Sequence, residues 1–425
     1  MSAASQGRDK KSAHITVIGW DGASLSASAR QVLDEATLVV GGARHLDALG
    51  LGAKGQEGKE DERATVTLGP LEPALRALAR HEGPAVVLAS GDPGFFGVLR
   101  ALTDAGLEPA GVYPALSSVA TAFARAAVSW DDALVVSAHG GGDGRELRRA
   151  ANVCRAHAKV AVLTGPGSGP RELARELLRG GVAGERVLLV AQRLAHGDER
   201  VEQLTPQDAA ARDDFAEPNV VLCLDPRRRS GSKRWLAGWS GPSAEWALAE
   251  SRFAHRDGQI TKAEVRALVL ARLAPRVGDL VWDLGAGSGS VGIECARLGA
   301  AVIAVEQDAA SCGRIAANAS VHEVDVAVVQ GRAPGVLGGL PQPDAVFVGG
   351  GGIDVVRAAL RRAPARIVVA LASVERVGEV VRSLEADGRV VGGVLSQSSR
   401  LAALPDGTHR FAALNPVYVV WGSAA

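Results

Sequence analysis

Short apolar runs alternate with amphipathic stretches along most of this 425-residue chain. The intervening stretches, such as 71–81 and 170–181, have the period of helices. Strands that alternate with helices predict an α/β fold built on largely parallel sheets. In the first half the apolar runs predict strands at 15–19, 37–42, 85–90, 133–139, 159–165, 186–192 and 219–224.

The alternation is interrupted once, over residues 225–258, which are charged and rich in turn residues. A chain of this length is also better divided into two domains than folded as one. We therefore predict a domain at 13–225, a linker at 226–250 and a second domain at 251–425, after a disordered tail at 1–12. Trp235, Trp239 and Trp246 lie in the linker, where they either pack on a domain face or flank a planar ligand.

The second domain begins with a predicted helix at 261–274. Thr261 is suited to cap this helix, and Glu264 three residues later would complete a capping box. The final predicted strand comes after a hairpin-like segment that follows residue 395. The strands predicted in this half are 279–284, 301–306, 324–330, 344–349, 366–371, 389–395 and 416–421.

Composition narrows the function classes. The formal net charge is zero and aromatic residues are few, so neither a charged field nor a stacking surface favours nucleic acid as a partner. No apolar run has the length of a membrane span. The four scattered cysteines show no metal-ligand spacing, and they indicate a reducing compartment, which we take to be the cytoplasm.

The stretch DLGAGSGS, residues 283–290, joins a predicted strand to a predicted helix. Gly285 permits a tight turn there, and Gly287 and Gly289 let backbone approach a ligand. A dinucleotide fingerprint would have glycine at 290, which is Ser290. The residues predicted to bind the cofactor here are Asp283, Gly285, Ala286, Gly287, Ser288, Gly289, Glu306, Arg332 and Ala333.

These positions match the parts of one ligand. Asp283 can pair with an ammonium group, Glu306 at the next strand end can bind a ribose diol, and Arg332 and Ala333 lie near an adenine edge. S-adenosylmethionine carries all three groups. An oxidoreductase that binds a nicotinamide nucleotide at 283–306 stays as the alternative.

The glycine loop, the acidic residues Asp283 and Glu306 and the number of predicted strands together resemble the class I methyltransferases. Those enzymes have a Rossmann-like sheet of seven strands, of which the last is antiparallel. DGQITKAEVR (257–266), PDAVFVGGGG (343–352) and NPVYVVWG (415–422) resemble the C15-methylating, decarboxylating enzymes of corrin biosynthesis over about 245–425. The resemblance implies that Thr261 also reaches the cofactor.

The first half contains GDPGFFG at 91–97, preceded by a strand, a loop and a helix at 15–42 and followed by YPALSS at 113–118. This set resembles the tetrapyrrole methylases, and within them the C5-methylating enzymes of corrin biosynthesis, over about 13–225. The resemblance implies a two-lobed fold whose cleft holds S-adenosylmethionine, with Gly91, Asp92, Pro93, Ser117 and Ser118 as cofactor-binding residues. HGGGDGRE, from His139 to Glu146, departs from the family, because its first arginine is Arg145.

Together the resemblances imply a bifunctional enzyme that methylates C5 and C15 of precorrin-6B and decarboxylates the acetate of ring C, with one S-adenosylmethionine per domain and no metal. They also imply a homo-oligomer. A cobalt-containing substrate and a non-catalytic tetrapyrrole carrier stay open. The catalytic residues are unknown: Asp344 and Glu264 are candidates for a general acid, and Arg266, Arg332 and Arg400 are candidates for binding substrate carboxylates.

Overall fold

The computed structural model describes residues 15–51, 63–139, 143–181, 185–228, 236–239, 241, 245–256 and 258–424. The predicted tail at 1–12 and much of the predicted linker lie outside these ranges. The chain divides into two compact units, the first formed by residues up to Val128 together with Ala191–Val201, and the second by Ser129–Val190 and Glu202–Ala425. The predicted domain boundaries are therefore not the boundaries of these units.

The elements alternate as predicted. The strands before residue 225 are β1 Ile15–Trp20, β2 Leu38–Gly41, β3 Ala64–Thr67, β4 Ala85–Ser90, β5 Gly111–Tyr113, β6 Leu134–Ser137, β7 Lys159–Leu163, β8 Val187–Gln192, β9 Arg200–Leu204 and β10 Asn219–Leu224. The helices between them are α1 Ala27–Glu35, α2 Ala43–Ala48, α3 Leu71–Arg80, α4 Val98–Asp104, α5 Ser118–Ala126, α6 Arg145–Ala156, α7 Pro170–Leu178 and α8 Pro206–Ala211.

The strands after residue 250 are β11 Leu280–Leu284, β12 Ala301–Glu306, β13 Ala327–Gln330, β14 Ala345–Val348, β15 Arg366–Leu371, β16 Val390–Ser396, β17 Ser399–Ala403, β18 His409–Ala413 and β19 Val417–Ser423. The helices are α9 Ala263–Leu273, α10 Ser290–Arg297, α11 Ala309–Val321, α12 Ile353–Leu360 and α13 Glu375–Ala386. The predicted hairpin after residue 395 is the separate pair β17–β18.

Three sheets organise these strands. The first runs β3-β2-β4-β1-β5, the second β6-β7-β10-β8-β9, and the third β13-β12-β11-β14-β15-β19-β16. In the third sheet β19 lies antiparallel between β15 and β16, as the prediction of seven strands with an antiparallel last strand requires. Its central strands are almost wholly apolar and buried, because helices cover both faces of such a sheet.

Within the second unit, α6 packs against the loops that precede the strands of the third sheet. The Asn152 amide donates to the carbonyl of Gly278 (3.1 Å), just before β11, and Arg148 donates to the Gln342 side chain (2.8 Å), before β14. His157 Nε2 lies 3.2 Å from the carbonyl oxygen of Gly299, before β12. The helix therefore covers the amino edge of this sheet.

In the buried interior, Arg186 links the end of α6 to the loop before β13. Its buried guanidinium lies 3.1 Å from the Asp225 carboxylate and 2.7 Å from that of Asp325, the latter in the loop before β13. It also donates to the backbone carbonyls of Cys154 and Arg155, so the guanidinium N–H groups bind both carboxylates and backbone. Trp239 packs on Gly299 and edge-on to His157, which favours the packing role over the ligand role for this predicted linker residue.

We expect Arg186→Met to destabilise the second unit more than Arg357→Met does, since Arg357 is an exposed arginine on α12. Removing Arg186 leaves the buried Asp225 carboxylate with Arg227 as its remaining countercharge and takes a partner from Asp325, which should cost about 3 kcal/mol and lower Tm by roughly 5 °C. Differential scanning calorimetry of both variants measures this. Equal Tm values for the two variants would show that the Arg186 contacts contribute no net stability.

Candidate active sites

The carboxyl ends of four parallel strands bring the predicted cofactor residues of the second half together. β11 pairs with β12 and β14, and β12 pairs with β13, all in parallel. The register places Glu306 opposite Gln330, and the backbone N–H of Gly331 donates to the carbonyl of Glu306 (2.8 Å). Arg332 and Ala333 therefore follow directly beside Glu306, as their sequence positions predict.

The glycine loop after β11 is held to Glu306. The backbone N–H of Gly287 donates to one Glu306 carboxylate oxygen (2.9 Å), and the N–H of Asp308 donates to the other (3.0 Å). Gly287 has φ +59°, and a Cβ there would meet no atom within 4 Å, so the loop opens onto free space at this point. Gly285, with φ +71°, instead presses on Gly350, because a Cβ would lie 3.0 Å from that residue's nitrogen.

Asp283 is a buried carboxyl at the end of β11. One oxygen accepts from the Gly292 N–H in α10 (2.9 Å), whereas its second oxygen has no hydrogen-bond partner in the part of the chain that the structure describes. Burial raises the pKa of Asp283 to about 7; the Gly292 bond acts against this shift, and the charge of Glu306 adds to it. A cationic group beside the unpaired oxygen would favour the ionised carboxylate.

The capping role predicted for Thr261 is wrong. Helix α9 begins at Ala263 after Lys262, and Glu264 binds Arg400 through both oxygens instead of capping. What fixes the Thr261 segment is Arg266, which donates to the Thr261 carbonyl (2.5 Å).

Arg266 is fully buried and paired with Glu294 of α10 (2.6 Å), so it is not available to a substrate carboxylate. It also donates to the Leu248 carbonyl, and Glu294 accepts from the N–H groups of Ala247 and Leu248. This buried pair connects the segment before α9 to the helix that follows the glycine loop.

Three of the remaining candidates, Arg400, Glu264 and Asp344, have partners within the protein. Arg400, on β17, is bound by both Glu250 and Glu264, and hydrogen bonds from Arg400 lower the pKa of Glu250 to about 2. Asp344 accepts from the Leu280 N–H (2.8 Å) at the amino edge of the sheet, opposite the glycine loop. Neither Asp344 nor Glu264 is therefore placed to act as a general acid, and Arg400 is already neutralised.

The predicted residues of the first half also converge. Gly91 directly follows β4 and has φ +60°, and its N–H donates to the carbonyl of Trp20 (2.8 Å), at the end of β1. A Cβ on Gly91 would lie 3.0 Å from the Leu116 carbonyl oxygen and 3.1 Å from the Ser117 Cα. The turn of Gly91, Asp92 and Pro93 thus touches the start of α5, where Ser118 begins the helix and Ser117 caps it.

A cavity of about 380 Å³ opens at the same edge, lined by residues 19–21, residues 23–26, Ala29 and residues 113–115. Sequence reasoning missed Gly19, although the structure gives it a clear role. A Cβ on Gly19 would lie 2.1 Å from the Gly91 carbonyl oxygen, so only glycine fits. Its position at the end of the first strand was the available signal.

His139 follows β6, and its ring contacts Gly165, where a Cβ would lie 2.7 Å from the ring. The glycines at 140–142 that depart from the family pattern lie outside the described residues. Arg145 begins α6 and is exposed.

Among the residues that the structure describes, no helix has the length and apolarity needed to cross a bilayer. Within these ranges no group of three His, Cys, Asp or Glu side chains is placed to hold a metal ion.

Comparison with known proteins decides the family. Residues 18–210 match the model of the tetrapyrrole (corrin/porphyrin) methylases, and residues 251–421 match that of the precorrin methyltransferase domain. A precorrin-6Y C(5,15)-methyltransferase (decarboxylating) of Sinorhizobium sp is 39% identical over 351 residues, 79% of this chain and 78% of that protein. This chain belongs to that family. The methyltransferase prediction is thereby confirmed against the oxidoreductase alternative.

Relatives of the separate halves are also found. A cobalt-precorrin-7 C(5)-methyltransferase of Salmonella typhimurium is 35% identical over 50% of this chain and 100% of its own length. The crystal structure of the C-terminal domain of precorrin-6Y C5,15-methyltransferase from Rhodobacter capsulatus is 35% identical, covers 42% of this chain and 97% of that chain, and has a TM-score of 0.38.

The raised pKa of Asp283 predicts a pH-dependent stability of the ligand-free chain. The folded chain keeps a proton that the unfolded chain releases near pH 3.8, so this contribution to stability falls as pH rises from about 4 to about 7. Asp283→Asn keeps an acceptor for Gly292 and removes the charge. We expect the variant to be more stable than the parent at pH 8, by on the order of 2 kcal/mol.

Urea unfolding of the parent and the variant at pH 5 to 8 gives the difference curve, with Asp354→Asn on the exposed face of α12 as control. The difference should grow up to pH 7 for Asp283→Asn and stay flat for the control. Parallel curves for Asp283→Asn and the parent would contradict a raised pKa.

Proposed function

We propose that the chain methylates C5 and C15 of precorrin-6B, removes CO2 from the acetate of ring C, and binds one S-adenosylmethionine in each half. The observation that supports the proposal is that both halves of one chain match methyltransferase families, the first over 18–210 and the second over 251–421. The domain division behind it is 13–225 for the C5 half and 251–425 for the C15 half, joined by 226–250. A cytoplasmic homo-oligomer is part of the same proposal.

The second half fits S-adenosylmethionine on three points. The free oxygen of buried Asp283 is suited to an ammonium group, and a cationic partner would favour the ionised carboxylate. Glu306 lies at the end of the next strand, where an acid can bind a ribose diol. The backbone at Gly287 is open, so a ligand can approach it closely. When bound, the cofactor supplies an electrophilic methyl group on a sulfonium.

The first half fits S-adenosylmethionine less directly, because the support there is the shape of the turn and of the cavity. Gly19 and Gly91 bring the turn of residues 91–93 against the strand end of β1, and the cavity lined by 19–21, 23–26 and 113–115 opens beside it. Asp92 accepts from the Gly94 N–H (2.8 Å), which makes this turn rigid. Gly91, Asp92, Pro93, Ser117 and Ser118 are proposed to line the cofactor site.

The main contribution of the protein to the reaction is to position the reacting groups. The meso carbons of a reduced tetrapyrrole are nucleophilic, so holding the carbon and the methyl group in line supplies much of the rate. The Arg266–Glu294 pair and the Gly287–Glu306 bond keep the Thr261 segment, the loop and α10 in fixed positions for this. Decarboxylation of the acetate is favoured when the carboxylate is desolvated next to an electron-accepting macrocycle.

Two substitutions should separate the two reactions. Gly91→Ala places a Cβ 3.0 Å from the Leu116 carbonyl oxygen in a left-handed backbone conformation, and should remove the first cofactor site. Gly106→Ala is its control, because Gly106 has φ +75° and open space around it. Glu306→Ala should remove the second site, with Glu379→Ala on the exposed face of α13 as control.

Calorimetric titration with S-adenosylhomocysteine should give two sites for the parent and the controls, and one for each site variant. With a ¹³C-methyl donor, Gly91→Ala should methylate C15 only and release CO2, whereas Glu306→Ala should methylate C5 at most and release none. A parent with a single site, or with no methyl group placed at one of the two carbons, would refute the bifunctional assignment. Comparing metal-free with cobalt-containing substrate in the same assay decides between the two forms of the pathway.

A further inference from the structure

Basic side chains lie beside the turn of residues 91–93, at the carboxyl edge of the first sheet. Arg44 and His45 follow β2 at this edge, and Ser90 ends β4 one residue before Gly91. Arg44 donates from Nη2 to the Ser90 hydroxyl (2.5 Å) and from Nε to His45 Nε2 (3.3 Å). The guanidinium is therefore fixed next to the proposed cofactor turn.

The segment 191–201, which belongs to the same unit, adds Arg193 and His196. It lies against the β1 loop, because a Cβ on Gly22 would be 3.1 Å from the Ala195 carbonyl oxygen. Partial burial and then the charge of Arg193 lower the pKa of Arg44. Burial, followed by the charges of Arg44 and His196, lowers the pKa of His45 to about 4, so this imidazole is neutral near pH 7 and can accept from Arg44.

The charge of Arg44 is not balanced locally. Among the residues that the structure describes, no carboxylate oxygen lies within 4.0 Å of its guanidinium, and its contacts are the neutral Ser90 and His45. Arg193 does bind a carboxylate, that of Asp198 (2.7 Å), but its side chain keeps 38% exposure. Two arginines at an accessible sheet edge, of which only Arg193 has a carboxylate within 4.0 Å among the described residues, suit an anionic ligand.

Apolar groups lie beside these charges. Phe96 and Leu116 expose 56% and 65% of their surface on either side of the Gly91 turn. Trp20 lines the cavity and packs edge-on against His45, with ring centroids 5.6 Å apart. A ligand that is apolar over its ring and anionic at its rim is complementary to this arrangement, and a tetrapyrrole with carboxylate side chains has that form.

We propose that Arg44 and Arg193 bind one side-chain carboxylate of the tetrapyrrole at the C5 site, and that Ser90 and His45 position Arg44 for this contact. This inference rests on the proposed function of the first half and goes beyond it by assigning substrate contacts. The bound carboxylate would join the two arginines, which otherwise repel each other. Both residues bind substrate, and neither takes part in the methyl transfer itself.

The test uses the full chain and scores methylation at C5 and C15 separately with a ¹³C-methyl donor. Arg44→Gln and Arg193→Gln should each raise the KM for the tetrapyrrole in C5 methylation about tenfold, the loss expected for one charge-assisted contact. The kcat and the KM for S-adenosylmethionine should stay within about twofold, as should methylation of C15, which serves as the internal control. Arg44→Lys, which keeps the charge and loses the fork, should give an intermediate KM.

Arg30→Gln removes the same charge from the exposed face of α1 and should change no constant. The double variant should be less impaired than the product of the two single effects, because both arginines share one carboxylate. If Arg44→Gln unfolds the first unit, the exposed Arg193→Gln variant still decides the question. An unchanged KM in Arg193→Gln, or a loss of kcat at constant KM in either variant, would overturn the inference, whereas a parent that never methylates C5 would instead overturn the proposed function.

Discussion

Backbone hydrogen bonding between parallel strands determines where chemistry can occur in this chain. Each parallel pair requires its connection to return over a face of the sheet, so all the loops that follow these strands open at one edge. In the third sheet that edge collects Asp283, the glycine loop and Glu306. In the first sheet it collects Trp20, the α2 arginine and the turn at Gly91. Two different folds thus arrive at the same kind of site.

The alternating pattern predicted most of this architecture, and the strands that it missed have a common cause. β3, β5 and β9 are short and lie at sheet edges, where only one neighbour is needed and few side chains are buried. Such strands lack the apolar run by which sequence analysis identifies a central strand. The central strands β11, β12 and β14 were predicted to within a residue at each end, because burial on both faces leaves them almost continuously apolar.

The structure brings the predicted glycine turns to the sheet edges, whereas it pairs two of the arginines predicted to bind a substrate with carboxylates of the chain itself. A glycine loop is recognisable from its own residues, since the turn at Gly285 and the contact of Gly19 with Gly91 admit no side chain. The partner of an arginine, in contrast, depends on tertiary contacts far away in sequence. Arg266 and Arg400 were both predicted to be available to a substrate, yet Glu294, Glu250 and Glu264 bind them. Arg44 lies in no recognisable motif, and among the described residues its contacts are the neutral Ser90 and His45.

The position of α6 has a consequence for how this chain can vary. Helix α6 and Arg186 contact the loops that precede β11, β12, β13 and β14, so those four connections are packed against protein. A free-standing class I domain would expose the same loops to water, where insertions are well tolerated. Here α6 and Arg186 constrain the lengths of these four loops. Natural or engineered variation in this half is therefore directed to the carboxyl-edge loops, where a change alters what the enzyme binds before it alters whether the chain folds.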